Sequence, residues 1–145
     1  MLDTNAALDL WAFGDARVAT LRQDLAEGAV EALGCPAMRR ELALVLARGV
    51  GAGHGARIEE VLAAWDRAVR VVEDPPESPR SAGLISRDED DQVFVDLAFH
   101  HQASFLLTSD RDLLSLRRRA ARSGLTIERP QAWNEKAAGP EGHGG

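Results

Sequence analysis

Acidic side chains are concentrated in the segment RDEDDQVFVDLA, residues 87–98, where four carboxylates stand directly in front of an apolar helical run. Like charges three or four residues apart on a helix destabilise it by roughly 0.2–0.5 kcal/mol per pair. A multivalent cation would offset this repulsion, and carboxylate oxygens are ligands that suit Mg²⁺ or Mn²⁺. A cation held in this way can position a phosphate, activate a water molecule and stabilise the charge that develops during phosphodiester cleavage.

Further acids stand where a parallel sheet would bring them to one edge. Asp3 ends a first short strand, and Asp110 ends the strand that runs through 105–108. Asp91 opens the helix that leads into this later strand. In open α/β sheets the ligand crevice lies at the carboxyl ends of the strands. These three side chains are therefore predicted to lie close together.

Each acid taken singly also has a structural explanation. Asp88 or Asp90 can cap the helix that follows and interact favourably with its N-terminal dipole. Asp110 can cap the next helix in the same way, and Glu41 can be an exposed residue on the charged face of the helix at 36–49. These explanations do not account for several carboxylates at the same edge of one sheet.

Helical and strand patterns alternate along the chain. LDTNAALDLW begins as a strand and turns helical at once. Periodicity and capping residues then predict helices and strands, separated by a loop at 49–55 and a linker at 74–83. The helices are at 16–28, 36–49, 56–72, 89–102 and 111–124, and the strands are at 29–33, 103–109 and 125–129. Short apolar strands alternating with helices predict a three-layer α/β/α fold, with a short parallel sheet flanked by helices. One domain is expected at 1–134, followed by a disordered tail at 135–145.

Four segments of the sequence together resemble the PIN domain, a metal-dependent ribonuclease fold. They are LDTN at the end of the first strand, RREL around Glu41, DDQVFVDLA, and LLTSDRDLL at the end of a later strand. The resemblance extends from residue 2 to about residue 133. It is greatest to the PIN domains described as toxins of toxin–antitoxin pairs, which are related to VapC-type toxins.

The resemblance implies a set of acidic catalytic residues, namely Asp3, Glu41, Asp91 and Asp110. Of these, Asp3, Asp91 and Asp110 are expected to bind the metal ion. Asp91 is chosen over Asp88 because Ala98 follows it by seven residues, a spacing that is similar to the family's helix.

Other residues near these acids are expected to support them. Asn5, Thr108 and Ser109 resemble the neutral residues that orient ligands or water in the family. Asp88 and Asp112 are expected to reach the metal ion through water.

The function that the resemblance implies is that of a Mg²⁺- or Mn²⁺-dependent endoribonuclease, the toxin of a type II toxin–antitoxin system. RNA is then the substrate, and a cognate antitoxin and a second copy in a homodimer are the expected protein partners. The alternative is a non-catalytic PIN-like module that binds RNA or a protein.

The balance of charge is compatible with RNA binding despite a net charge of −6. Arginines at 117, 118, 119 and 122 crowd one short helix and are candidate phosphate contacts, although a solvated helix face explains this run equally well. The only lysine is Lys136, which argues against phosphoaspartate phosphatases, receiver domains and P-loop proteins, since these rely on a lysine to hold phosphoryl charge.

The cysteine content and the hydropathy of the chain suggest the cellular compartment in which the protein works. With Cys35 as its single cysteine, the chain cannot form an internal disulfide, which is typical of a reducing compartment. No stretch approaches the roughly 18 apolar residues that a membrane span requires. A cytoplasmic protein without membrane association is therefore expected.

Overall fold

The computed structural model describes residues 1–74 and 89–133, except for the side chains of residues 89–91 and 93. Within these ranges the helices are α1 (Thr4–Trp11), α2 (Ala19–Ala26), α3 (Pro36–Ala47), α4 (Ile58–Ala68), α5 (Glu89–His100), α6 (Arg111–Leu114) and α7 (Arg117–Arg122). The strands are β1 (Ala32–Gly34), β2 (Val69–Val71), β3 (Phe105–Leu107) and β4 (Thr126–Glu128). Short 3₁₀ turns occupy Ala16–Val18 and Ala52–His54.

The strands pair in parallel, as their alternation with helices predicted. β1 pairs with β2, with Leu33 opposite Arg70, and β3 pairs with β4, with Leu106 opposite Ile127. The first predicted strand is reduced to one parallel bridge between Leu2 and Leu107. This bridge nevertheless places the next residue, Asp3, beside the end of β3.

Glycine in the left-handed conformation follows two of the helices. Gly28 follows α2 with a φ of +75°, and Gly49 follows α3 with a φ of +93°. A left-handed residue directly after a helix satisfies its last carbonyl groups, and glycine adopts this conformation without steric strain. Both helices therefore end close to where the sequence predicts.

Two helix predictions were wrong in part. The helix predicted over 56–72 ends at Ala68, and the valines that follow form β2 instead. These β-branched residues pair with β1, a contact distant in the chain that overrides the local helical period. The helix predicted over 111–124 is divided at Ser115 into α6 and α7.

One hydrophobic core joins the helices to the strands. α3 packs against α4 and α1, and α5 packs against β3. Burying a large aliphatic side chain stabilises a fold by roughly 1.5–3 kcal/mol, so these residues dominate its stability. The largest fully buried apolar side chains are Leu10, Val18, Leu21, Leu42, Val61, Val95, Leu97, Leu106, Leu113 and Leu125.

Close packing extends to the end of β1. A methyl group built on Gly34 would lie 2.8 Å from both Trp65 and Val69, which leaves no room for a side chain. Trp65 is 2% exposed. Glycine at this position therefore lets α4 and β2 approach the first strand of the pair.

Other sequence-based predictions fall mainly outside this structure. The tail at 135–145 and most of the linker at 74–83 lie outside the described residues. Among the helices that are described, none has the length and apolar character needed to cross a membrane.

Candidate active site

Asp3 lies beside β3, in the sheet that β3 forms with β4, and both its backbone and its side chain hold it there. Its N–H donates to the carbonyl oxygen of Leu107 at 3.2 Å, which continues the bridge made by Leu2. Its Oδ1 accepts the N–H of Ala6 at 2.9 Å, so the carboxylate caps α1. The residue is only 4% exposed. An acid that ends a strand and begins a helix is thus fixed in position inside the protein.

Thr108 connects Asp3 to Asp110. Its hydroxyl donates to Oδ2 of Asp3, and its Oγ1 accepts the N–H of Asp110 at 2.9 Å. Thr108 is fully buried, and its own N–H donates to the carbonyl oxygen of Glu128 at 2.9 Å. Because β3 ends at Leu107, this threonine projects from the carboxyl end of the sheet and sets the relative position of the two acids.

Asp110 caps α6, as the structural explanation of this residue predicted. Its Oδ1 accepts the N–H groups of Asp112 at 2.8 Å and of Leu113 at 3.2 Å. No hydrogen bond to its Oδ2 is found among the described residues. The cap fixes one carboxylate oxygen and leaves the other available, so capping and ligand binding are compatible roles for this side chain.

The electrostatics of the pair favour a cation. Burial raises the pKa of the Asp3 carboxyl to about 6, although hydrogen bonds from Thr108 and Ala6 act in the opposite direction. The negative charges of Asp110 and Asp9 raise the pKa further. A divalent cation would offset both the burial of the charge and this repulsion, and carboxylate oxygens are the donor type that Mg²⁺ and Mn²⁺ prefer. The two acids therefore fit such an ion.

A model of the PIN domain family matches residues 1–112, more than three quarters of the chain. The chain belongs to the PIN domain family. No curated protein and no solved structure gave a match. PIN domains have a nuclease-type fold, and the expected three-layer α/β/α architecture is confirmed with it.

The structure brings together only part of the acidic set predicted for this PIN domain. Among the residues described, no group of three or more histidine, cysteine, aspartate or glutamate side chains is close enough to hold a metal ion. Glu41 is exposed on α3 and forms no hydrogen bond or ion pair within the described chain. Asp91 lies in the first turn of α5, but its side chain is outside the described residues, as is the whole of Asp88. The assignment of Glu41 and Asp91 to the acidic site therefore remains a prediction.

The predicted neutral residues of the PIN site lie next to the acidic pair. Asn5 and Ser109 both line a cleft of about 550 Å³, whereas Asp112 contacts the pair by donating its N–H to Asp110. Asn5 is exposed and Ser109 is half-buried, so both side chains can reach a ligand in the cleft. The rest of the cleft is formed by Asp9, Phe13, Arg17, Arg129 and Gln131.

The sequence interpretation missed four polar residues of this cleft, namely Asp9, Arg17, Arg129 and Gln131. Asp9 lies one helical turn after Asn5, a spacing that places both on one face of α1. Its pKa is raised, chiefly by burial and then by the charge of Asp15. Gln131 donates to Asp9 at 3.5 Å, near the upper limit for a hydrogen bond. Arg129 directly follows β4, so the rule that places ligands at the carboxyl ends of strands identifies it once β4 is known.

Proposed function

We propose that this PIN domain is a Mg²⁺- or Mn²⁺-dependent endoribonuclease that hydrolyses phosphodiester bonds of RNA. The observation that supports this most directly is the Asp3–Thr108–Asp110 arrangement at the carboxyl end of β3. It joins a buried carboxylate to a second one whose Oδ2 has no partner among the described residues. Such a costly arrangement of like charges is expected where a cation is bound.

Asp3 and Asp110 would hold the metal ion, together with Asp91 from the first turn of α5. Glu41 is proposed as the fourth acidic residue of the site. The bound ion would supply charge neutralisation at the phosphate and a lowered pKa for a bound water molecule.

The side chains of the chain itself would supply positioning. Thr108 and the cap of α6 hold the two carboxylates rigid, which removes the need to reorganise them during the reaction. Asn5 and Ser109 offer hydrogen-bonding groups to the phosphate or to the attacking water in the adjoining cleft. Hydrolysis then divides the RNA strand at one phosphorus–oxygen bond, and the elements of water are added across that bond.

Metal dependence provides the first test of this proposal. The protein should cut single-stranded RNA in the presence of Mg²⁺ or Mn²⁺, and excess EDTA should abolish cutting because the proposed mechanism assigns the activation of water to the metal ion. Gel analysis of a labelled strand measures this, and restored cutting after the metal ion is added back excludes damage by the chelator. Undiminished cleavage in EDTA would contradict the proposed mechanism. Binding of RNA without cutting, at every metal concentration, would favour the non-catalytic alternative.

We further propose that the nuclease is the toxin of a type II toxin–antitoxin pair and acts as a homodimer. This part is supported by the resemblance of the LDTN, DDQVFVDLA and LLTSDRDLL motifs to such toxins. The antitoxin is expected to cover Asp3 and Asp110 and the cleft beside them, and so to compete with metal or RNA. An arginine of the antitoxin is expected to contact these carboxylates.

Expression of the protein in a bacterial host should arrest growth, and co-expression of the neighbouring gene should relieve the arrest. Colony counts measure this effect, and Asp110→Asn serves as the inactive control. Arrest that persists in the Asp110→Asn variant would mean that toxicity does not arise from cleavage. A strict monomer in light scattering at high concentration would remove the proposed dimer.

A further inference from the structure

A second concavity, next to the cleft that Asn5 and Ser109 line, is lined mainly by arginine. It has a volume of about 370 Å³ and lies where α6, α7 and the end of β4 meet. Its lining residues are Arg111, Leu114, Ser115, Arg117, Arg118 and Arg129. All four arginines are exposed. We call this feature the arginine concavity.

The charges of the arginine concavity are not neutralised within the described part of the chain, where none of its four arginines forms an ion pair. Within the same part of the chain, Arg17, Arg39, Arg40 and Arg70 do form ion pairs, such as the contact of 2.7 Å between Nε of Arg39 and Oδ1 of Asp66. Guanidinium groups that line one concavity repel one another, and an anion bound among them would reduce this repulsion. Their planar, forked donors match phosphate oxygens in particular.

The arginine concavity shares a lining residue with the cleft that Asn5 and Ser109 line. Arg129 lines both of them, and Arg111 directly follows Asp110 in the chain. Arg129 and Arg111 therefore connect the surroundings of the acidic pair to the other arginines of the concavity.

The arginines of α7 are not equivalent. Arg117 and Arg118 line the concavity, whereas Arg119 and Arg122 do not. A merely solvated helix face gives all four residues the same role. The geometry distinguishes two of them, and both lie beyond the region that the family model matches.

We propose that the arginine concavity binds backbone phosphates of single-stranded RNA, adjacent to the phosphate at the acidic pair. The strand crosses Arg129 between the two sites. This inference rests on the proposed nuclease function, since it assigns the path of the same substrate. Phosphate contacts of this kind fix the position of the strand without reading its sequence.

Binding of a labelled single-stranded RNA in EDTA tests the proposal, because no cleavage then interferes. The variant Arg117→Gln/Arg118→Gln should weaken binding by at least about tenfold. Each lost phosphate contact should reduce the slope of log affinity against log salt by about 0.7, so the double variant should lose about 1.4. The matched control Arg119→Gln/Arg122→Gln removes the same charge from the same helix and should change affinity less than about threefold, since it loses only long-range attraction.

Hydrolysis of bis(p-nitrophenyl) phosphate with Mn²⁺ separates this inference from the proposed function. This small diester reaches only the acidic pair, so wild type and Arg117→Gln/Arg118→Gln should hydrolyse it equally. Equal RNA affinities and equal salt slopes for the two double variants would overturn the inference while the nuclease function stands. Wild-type protein that hydrolyses no diester but shows the expected difference in RNA binding would overturn the nuclease function alone. Failure of the wild-type protein to bind RNA would overturn the inference directly.

Discussion

Asp110→Asn is expected to lower the rate of metal-supported RNA cleavage by on the order of 10²–10³-fold or more. Asparagine keeps the shape of the side chain and caps a helix about as well as aspartate, so the N–H groups of Asp112 and Leu113 keep an acceptor. What is lost is one negative charge where we propose that the metal ion binds. Single-turnover cleavage of a labelled RNA, together with circular dichroism to confirm folding, measures the effect.

Asp66→Asn is the control for this loss of charge. Asp66 is exposed on α4 and forms an ion pair with Arg39, which is worth no more than about 1 kcal/mol at the surface. Its replacement should leave cleavage unchanged. Substantial activity in Asp110→Asn, with its metal dependence intact, would mean that the acidic pair is not the reaction centre.

The same assay tests whether Asp91 and Glu41, which the structure does not place beside Asp3 and Asp110, belong to the site. Asp91→Asn and Glu41→Gln should each abolish cleavage if the resemblance assigns them correctly. Glu41 is exposed, and within the described part of the chain it has no polar partner, so its replacement should not affect folding. Full activity of Glu41→Gln would exclude Glu41 and leave Asp3, Asp91 and Asp110 as the acidic residues of the proposed site.

The proximity of Asp3 and Asp110 in the candidate site could be predicted from the sequence because both residues lie at the ends of secondary-structure elements. Asp3 and Asp110 each follow a short apolar segment and precede a helix, and parallel pairing brings such positions together. Thr108, which follows β3 directly, was predicted from the resemblance to the family rather than from this rule. The resemblance then suggested the chemistry that we propose for this site.

The features that the sequence did not predict depend on contacts between distant parts of the chain. The local pattern of one sequence does not contain this information. β2 was missed because Val69–Val71 continues the pattern of α4 and becomes a strand only beside β1. Arg129 was missed because its role requires β4 to lie beside β3. The run at 117–122 suggested four equivalent arginines, whereas the fold turns two of them toward the concavity.

Asp3→Asn is expected to stabilise the metal-free protein at neutral pH. Burial raises the pKa of Asp3 in the folded state from 3.8 to about 6, so the folded protein binds a proton between these values that the unfolded chain has released. Stability contributed by this group is complete below pH 4 and is lost as the pH rises through 6, by at most about 3 kcal/mol. The asparagine variant lacks this loss, and it can keep both the cap of α1 and a hydrogen bond to Thr108. In EDTA at pH 7.5 it should therefore be more stable by on the order of 2 kcal/mol, which raises Tm by roughly 5 °C or more.

The difference between the two proteins should disappear near pH 4, where Asp3 is protonated in the folded state. Mg²⁺ should raise the Tm of the wild type by mass action and that of Asp3→Asn much less. Asp15→Asn provides a control of opposite sign, because hydrogen bonds from Arg17 lower the pKa of Asp15 to about 2 and its charge is stabilising at pH 7.5. If Asp3 were only a buried helix cap, the asparagine variant would still gain stability in EDTA, but Mg²⁺ would act equally on both proteins. Thermal melts at pH 4 and pH 7.5, with EDTA and with Mg²⁺, distinguish a carboxylate placed to hold a cation from one placed to hold a helix.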